Sequence, residues 1–100
     1  MKVTVVDDDP EMLYQISDYL KKFKKEINEK IELTTYGKPT AFLQNRNMEE
    51  DILILDVDMP EMNGFEVAKK VRESDQKVII IFVTNMAQFA IRGYEVEAID

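Results

Sequence analysis

Ile52-Leu53-Ile54-Leu55-Asp56-Val57-Asp58-Met59-Pro60 is the stretch on which the fold turns. Four apolar residues in a row cannot alternate between a wet and a dry face. They read as a strand covered on both sides, the habit of parallel sheets flanked by helices. Asp56 ends that run, and a buried carboxylate without a partner is costly, so chemistry is the better reading of this residue than structure. Asp58 precedes Met59-Pro60, where a turn residue needs no chemistry to justify it.

Working outward, Val78-Ile79-Ile80-Ile81-Phe82-Val83 is a second apolar run, ended by Thr84. Both runs are expected to lie centrally in a parallel sheet. Upstream, Val3, Val5 and Val6 form a short strand bounded by Asp7-Asp8-Asp9-Pro10, with Asp9 as helix N-cap and Pro10 at N1. Leu13, Ile16, Leu20, Phe23 and Ile27 then step at helical period, predicting a helix to about Glu29 with one apolar face. Lys21, Lys22, Lys24 and Lys25 gather at its negative end and read mainly as a solvated face; Lys22/Glu26, Lys25/Glu29 and Glu26/Lys30 are spaced to pair. Ile31 to Tyr36 is a strand closed by Gly37, and Pro39 to Gln44 a short helix carrying Ala41, Phe42 and Leu43. Gly64 opens a helix whose Val67, Ala68 and Val71 share a face, and another helix is expected from about Ala87 to Arg92. Strand and helix alternate throughout, which argues for one open α/β domain with right-handed crossovers.

At 100 residues there is room for a single core, and 45% apolar with 33% charged residues is a globular composition. Twenty acidic against thirteen basic residues leave a net charge of −7 and a pI near 4.6, a poor match to a phosphate backbone. Cys, His and Trp are absent, which removes thiolate metal sites, disulfides and the usual general base. The longest apolar run is far short of a bilayer span, so no membrane partner is expected and the location expected is cytoplasmic. Any chemistry must run on carboxylates, hydroxyls, Lys or a hard cation.

Polar residues collect after three strands: Asp7, Asp8 and Asp9 after the first, Asp56 and Asp58 at the third, Thr84 and Asn85 after the fourth. In an open α/β sheet that rim binds ligands. Carboxylates converging there would repel by about 4 kcal/mol per pair at 4 Å and an effective dielectric of 20. A divalent cation relieves this, and an all-oxygen donor set with retained waters suits Mg²⁺. Asp9 reads more readily as a cap than as a ligand, and Asp7 or Asp8 alone could serve a helix dipole. Thr84 alone reads as a β-branched strand end.

Val3 to Pro10, Ile52 to Val67 and Ile81 to Thr84 together resemble the receiver domain of bacterial two-component response regulators, over essentially the whole chain. Gln88 to Asp100 is similar to receivers joined to LytTR-type DNA-binding domains. The resemblance implies a flavodoxin-like three-layer sandwich; the order 2-1-3-4-5 is taken over from that fold, of which receivers are a standing example. It further implies Asp56 as phosphoacceptor for a sensor histidine kinase, Mg²⁺ held by Asp7, Asp8, Asp56 and the Asp58 backbone carbonyl, and Thr84 as switch hydroxyl. DNA would be reached only through an output domain outside this chain.

The sequence departs from the family twice. Asn85 follows Thr84 where a small residue is preferred, and the chain ends at Asp100, before the family's switch aromatic, fifth strand, Lys-Pro and last helix. The expectation is a C-terminally truncated receiver of order 2-1-3-4, self-associating through the bare Val78 to Val83 edge and the last helix present. Two other readings stay open: a haloacid-dehalogenase-like Mg²⁺ phosphatase using Asp56 and Asp58, and a receiver-like interaction module that is never phosphorylated.

Overall fold

Asp9 and Pro10 begin the first helix as caps do. The Asp9 carboxylate accepts from the Glu11 N–H at 3.0 Å, and Pro10 occupies the first turn, where its missing N–H is no loss. The computed structural model describes residues 1–83. Its elements are β1 (Lys2–Val6), α1 (Pro10–Ile27), β2 (Glu32–Tyr36), α2 (Pro39–Asn45), β3 (Ile52–Asp56), α3 (Gly64–Ser74) and β4 (Ile79–Val83). Thr84, Asn85 and the expected helix from Ala87 to Arg92 lie outside the described residues.

The four strands are parallel in the order β2-β1-β3-β4. Alternate residues send side chains to opposite faces, and each face has its own helical cover. Val6, Leu53 and Leu55 pack with Phe42 of α2 and with Val67, Ala68 and Val71 of α3. On the other face Val3, Val5 and Ile54 meet Leu13, Ile16 and Leu20 of α1. Helices on both faces make the three layers of a flavodoxin-like sandwich.

Several details correct the expectations. β3 is interior as expected; β4 is the edge strand among the described residues, which agrees with the expected order 2-1-3-4 and overturns the central place read from its apolar run, and Ile79 and Ile81 are 58% and 44% exposed. They share register with Ile52 and Ile54, which α1 reaches, but they lie one strand further out. The α1 stripe is likewise only half used, since Phe23 and Ile27 are exposed and no α1 residue is fully buried. The helix stops at Ile27 rather than Glu29, because Asn28 turns left-handed (φ 51°, ψ 44°) and its N–H closes on the Lys24 carbonyl. Lys22 pairs with Asp18 at 3.2 Å instead of Glu26, in the acid-before-base order that suits the helix dipole. β2 starts one residue later than expected, at Glu32.

Candidate functional site

Parallel register assembles the site. Val6 pairs with Leu55, so the residues that follow, Asp7 and Asp56, leave adjacent strands side by side at their C-terminal ends. Asp7 is 2% and Asp56 8% exposed, while Asp8 faces solvent. One carboxylate oxygen from each of Asp7, Asp8 and Asp56 lies within 4.8 Å of the others. Among the described residues no other acidic trio comes together this way. Asp9 stands outside it as the α1 cap, and the Asp58 side chain stands outside it too.

The surrounding backbone fixes these side chains. Asp7 Oδ1 accepts from the Asp9 N–H at 2.9 Å and Asp56 Oδ1 from the Asp58 N–H at 3.2 Å, so each carboxylate is braced by the turn behind it. The Asp7 N–H itself donates to the Tyr36 carbonyl at 3.1 Å. Beyond Asp56, the Val57 N–H donates to the Val83 carbonyl at 3.1 Å, and the Val57 carbonyl accepts from the Gly64 N–H at 3.0 Å. The end of β3 is thereby held between β4 and the first turn of α3.

Gly64 contributes more than a helix start. A Cβ there would stand 2.4 Å from the Asp56 carbonyl oxygen, so α3 can seat its N-terminus on the Asp56 backbone only because this residue has no side chain. Asn63 and Glu66 lock that turn with a reciprocal capping box: the Glu66 N–H donates to Asn63 Oδ1 at 2.9 Å and the Asn63 N–H to Glu66 Oε1 at 3.3 Å. Thr40 of α2 donates to Glu61 at 3.0 Å, tying the β3–α3 loop to α2. The sequence reading passed over these supports, although Asn63-x-x-Glu66 is a legible capping signal.

Electrostatics follow from the geometry. Burial, then the neighbouring Asp7 charge, pushes the Asp56 carboxyl up to about 7. Burial raises Asp7 as well, against the opposing hydrogen bond from Asp9. Three crowded carboxylates, two of them buried, hold more negative charge than the site can solvate. Hard oxygen donors in this arrangement fit a small divalent cation such as Mg²⁺. Thr84, the fifth residue of the expected constellation, lies outside the described residues, although its neighbour Val83 pairs with Asp56.

Similarity to known proteins agrees with this layout. Residues 3–100 match the response regulator receiver domain. The sensory transduction protein LytT of Bacillus subtilis is 35% identical over 101 residues, which cover all of this chain and 40% of that protein. LytR of Staphylococcus saprophyticus is 29% identical over 108 residues, with 38% of its length covered. The chain thus spans about two fifths of the length of these curated relatives. Among solved structures, Vibrio cholerae chemotaxis protein CheY4 superimposes with a TM-score of 0.69 at 28% identity, over 95% of this chain and 78% of that one. RcsB of Salmonella enterica, solved on promoter rprA, shares the fold with a TM-score of 0.76 at 23% identity, over 98% and 80%. A match across nearly the whole chain leaves no ground for the phosphatase reading, and the chain belongs to the receiver domains of two-component response regulators.

Proposed function

We propose that Asp56 is the phosphoacceptor, that Asp7, Asp8, Asp56 and the Asp58 backbone carbonyl hold Mg²⁺, and that the Thr84 hydroxyl is the switch that follows phosphorylation. The observation that carries this is the convergence of the Asp7, Asp8 and Asp56 carboxylates within 4.8 Å at the end of buried strands. An Asp56 carboxylate oxygen attacks phosphorus, the P–N bond of a kinase phosphohistidine breaks, and an acyl phosphate forms on Asp56 while the histidine leaves with its electron pair. Mg²⁺, when bound, supplies charge neutralisation on the transferring oxygens. Asp7 stays close enough to Asp56 to favour its protonated form until a cation offsets the repulsion, so the same pair sets both metal demand and nucleophile strength. In this reading the domain catalyses only its own phosphorylation and dephosphorylation.

A sensor histidine kinase is the donor, which places the domain in the cytoplasm, and a transcriptional output is reached through a segment outside this chain. Self-association is assigned to β4, where Ile79 and Ile81 are exposed; light scattering that gives one monomeric mass at every concentration removes that assignment. The direct test of the site is incubation with Mg²⁺ and acetyl phosphate, read by intact mass, beside Asp56→Asn. One phosphoryl group on the parent and none on the variant is the expected result. Equal uptake by both, or none by the full-length protein, overturns it.

A further inference from the structure

Away from the acidic rim, a cavity of about 140 Å³ lies beneath the C-terminal turn of α2, lined in part by Thr4, Thr34, Phe42, Asn45, Arg46 and Glu50. Thr4 and Thr34 are register partners on β1 and β2, so their hydroxyls leave the sheet on the same face. Thr4 is 7% exposed, and its hydroxyl meets no protein partner among the described residues. Among the described residues no fully enclosed side-chain nitrogen or oxygen is unpaired, so the Thr4 oxygen keeps some solvent access, and Thr4 lines this cavity. Glu50 is also buried, and both Arg46 bonds, from Nε at 2.9 Å and Nη2 at 2.6 Å, fall on Oε1 alone. Arg46 Nη2 reaches on to Asp75 at 3.4 Å, and Glu50 Oε2 and Arg46 Nη1 have no protein partner among the described residues.

We propose that the floor of this partly open cavity is a hydration site, in which ordered waters bridge Thr4 Oγ1, Glu50 Oε2 and Arg46 Nη1 and complete the solvation of a buried ion pair. A carboxylate taken out of water needs donors on both oxygens, and a single Arg contact on one of them does not supply that. At about 30 Å³ per water the space has room for more than one, and its lining carries the polar groups that such waters need as partners. The Phe42 ring, 5.6 Å from the Arg46 guanidinium, closes one wall and steers these contacts to the polar side. This hydration does not depend on the reading of the acidic rim.

The sign of one substitution separates the alternatives. If the Thr4 hydroxyl were simply buried and idle, Thr4→Val would stabilise the protein, since it removes an unpaired polar atom from a strand that favours β-branched apolar residues. If the hydroxyl anchors the cluster, Thr4→Val lowers the folding equilibrium constant about fivefold or more, Thr4→Ser stays near the parent, and Mg²⁺ affinity is unchanged in both. A high-resolution crystal structure of the parent should show at least two waters joining Thr4 to Glu50. Waters absent from the parent, Glu50 Oε2 turned onto a protein donor, or Thr4→Val as stable as the parent overturns the proposal. Should Thr4→Val fail to fold, the parent crystal structure, with slow-exchanging water contacts by NMR, decides it alone.

Discussion

In the proposed role Asp56 has to be buried enough to be pre-organised and charged enough to react, and these demands conflict until a cation arrives. Its ordinary value of 3.8 is raised to about 7. Between those values the metal-free folded protein holds a proton that the unfolded chain has released. Stability without metal therefore falls as pH rises through this window, and the full penalty stands above it. With allowance for solvent screening at the rim the effect is about 1 to 2 kcal/mol. In EDTA the Tm should drop from pH 5 to pH 8, Mg²⁺ at pH 8 should restore it, and Asp56→Asn should flatten the profile; equal slopes for parent and variant would count against the account. Gly64 carries the second prediction at this scale. The Cβ of Gly64→Ala would collide with backbone atoms of Asp56, which cannot swing aside as a flexible side chain could. Overpacking of this kind costs about 1 to 3 kcal/mol. Because the displaced atoms belong to Asp56, one of the proposed ligands, Mg²⁺ affinity should fall together with the denaturation midpoint, and a loss of stability with unchanged metal affinity would assign Gly64 to packing alone.

At the scale of elements, the run Asp7-Asp8-Asp9 divides one residue type according to where β1 ends and α1 begins: Asp9 caps α1, while Asp7 and Asp8 join Asp56 in the carboxylate cluster. Asp9 belongs to the helix, so Asp9→Ala should cost about 1 kcal/mol of stability and leave Mg²⁺ affinity essentially unaltered. Asp8→Ala should do the reverse, weakening Mg²⁺ binding while relieving repulsion in the metal-free protein. Urea melts with and without Mg²⁺ on both variants would show the crossover, and parallel responses would remove the division of roles. The cap was legible in the sequence because Pro10 marks the first helical turn and makes Asp9 the residue before it. Strand and helix order were legible for a similar reason, since a four-residue apolar run and a period of 3.6 residues are local signals. Ends and pairings were less so. Asn28 halts α1 through a left-handed backbone that Asn tolerates but does not require, and Lys22 chose Asp18 over Glu26, both reachable within one helical turn.

For the whole molecule, what stayed hidden in the sequence is contact between distant segments. The carboxylate cluster could be anticipated, because a parallel sheet brings all strand ends to one rim. Nothing comparable announced that Arg46 and Asp75, 29 residues apart, would meet at 3.4 Å, or that Glu50 would join them. This trio ties the end of α2 to the segment leading into β3 and to the α3–β4 turn, where Asp75 Oδ1 also accepts from the Lys77 and Val78 N–H groups. Those backbone donors, the Lys77 N–H first, together with Arg46, hold the Asp75 carboxyl below its ordinary value. A carboxyl lowered in the folded state contributes stability that is present above its unfolded value and lost as pH falls toward the folded one. Asp75→Asn should therefore reduce stability at neutral pH and lose less than the parent on acidification below pH 4. Arg46→Met tests the other arm. It leaves Glu50 buried without its cation, and the cost of such stranding is about 3 to 5 kcal/mol. Adding Glu50→Leu to Arg46→Met should recover most of that loss, because two apolar side chains need no partners. Chemical denaturation of the single and double variants measures the difference, and a double variant no more stable than Arg46→Met would mean that the pair stabilises by more than neutralising each other's charge.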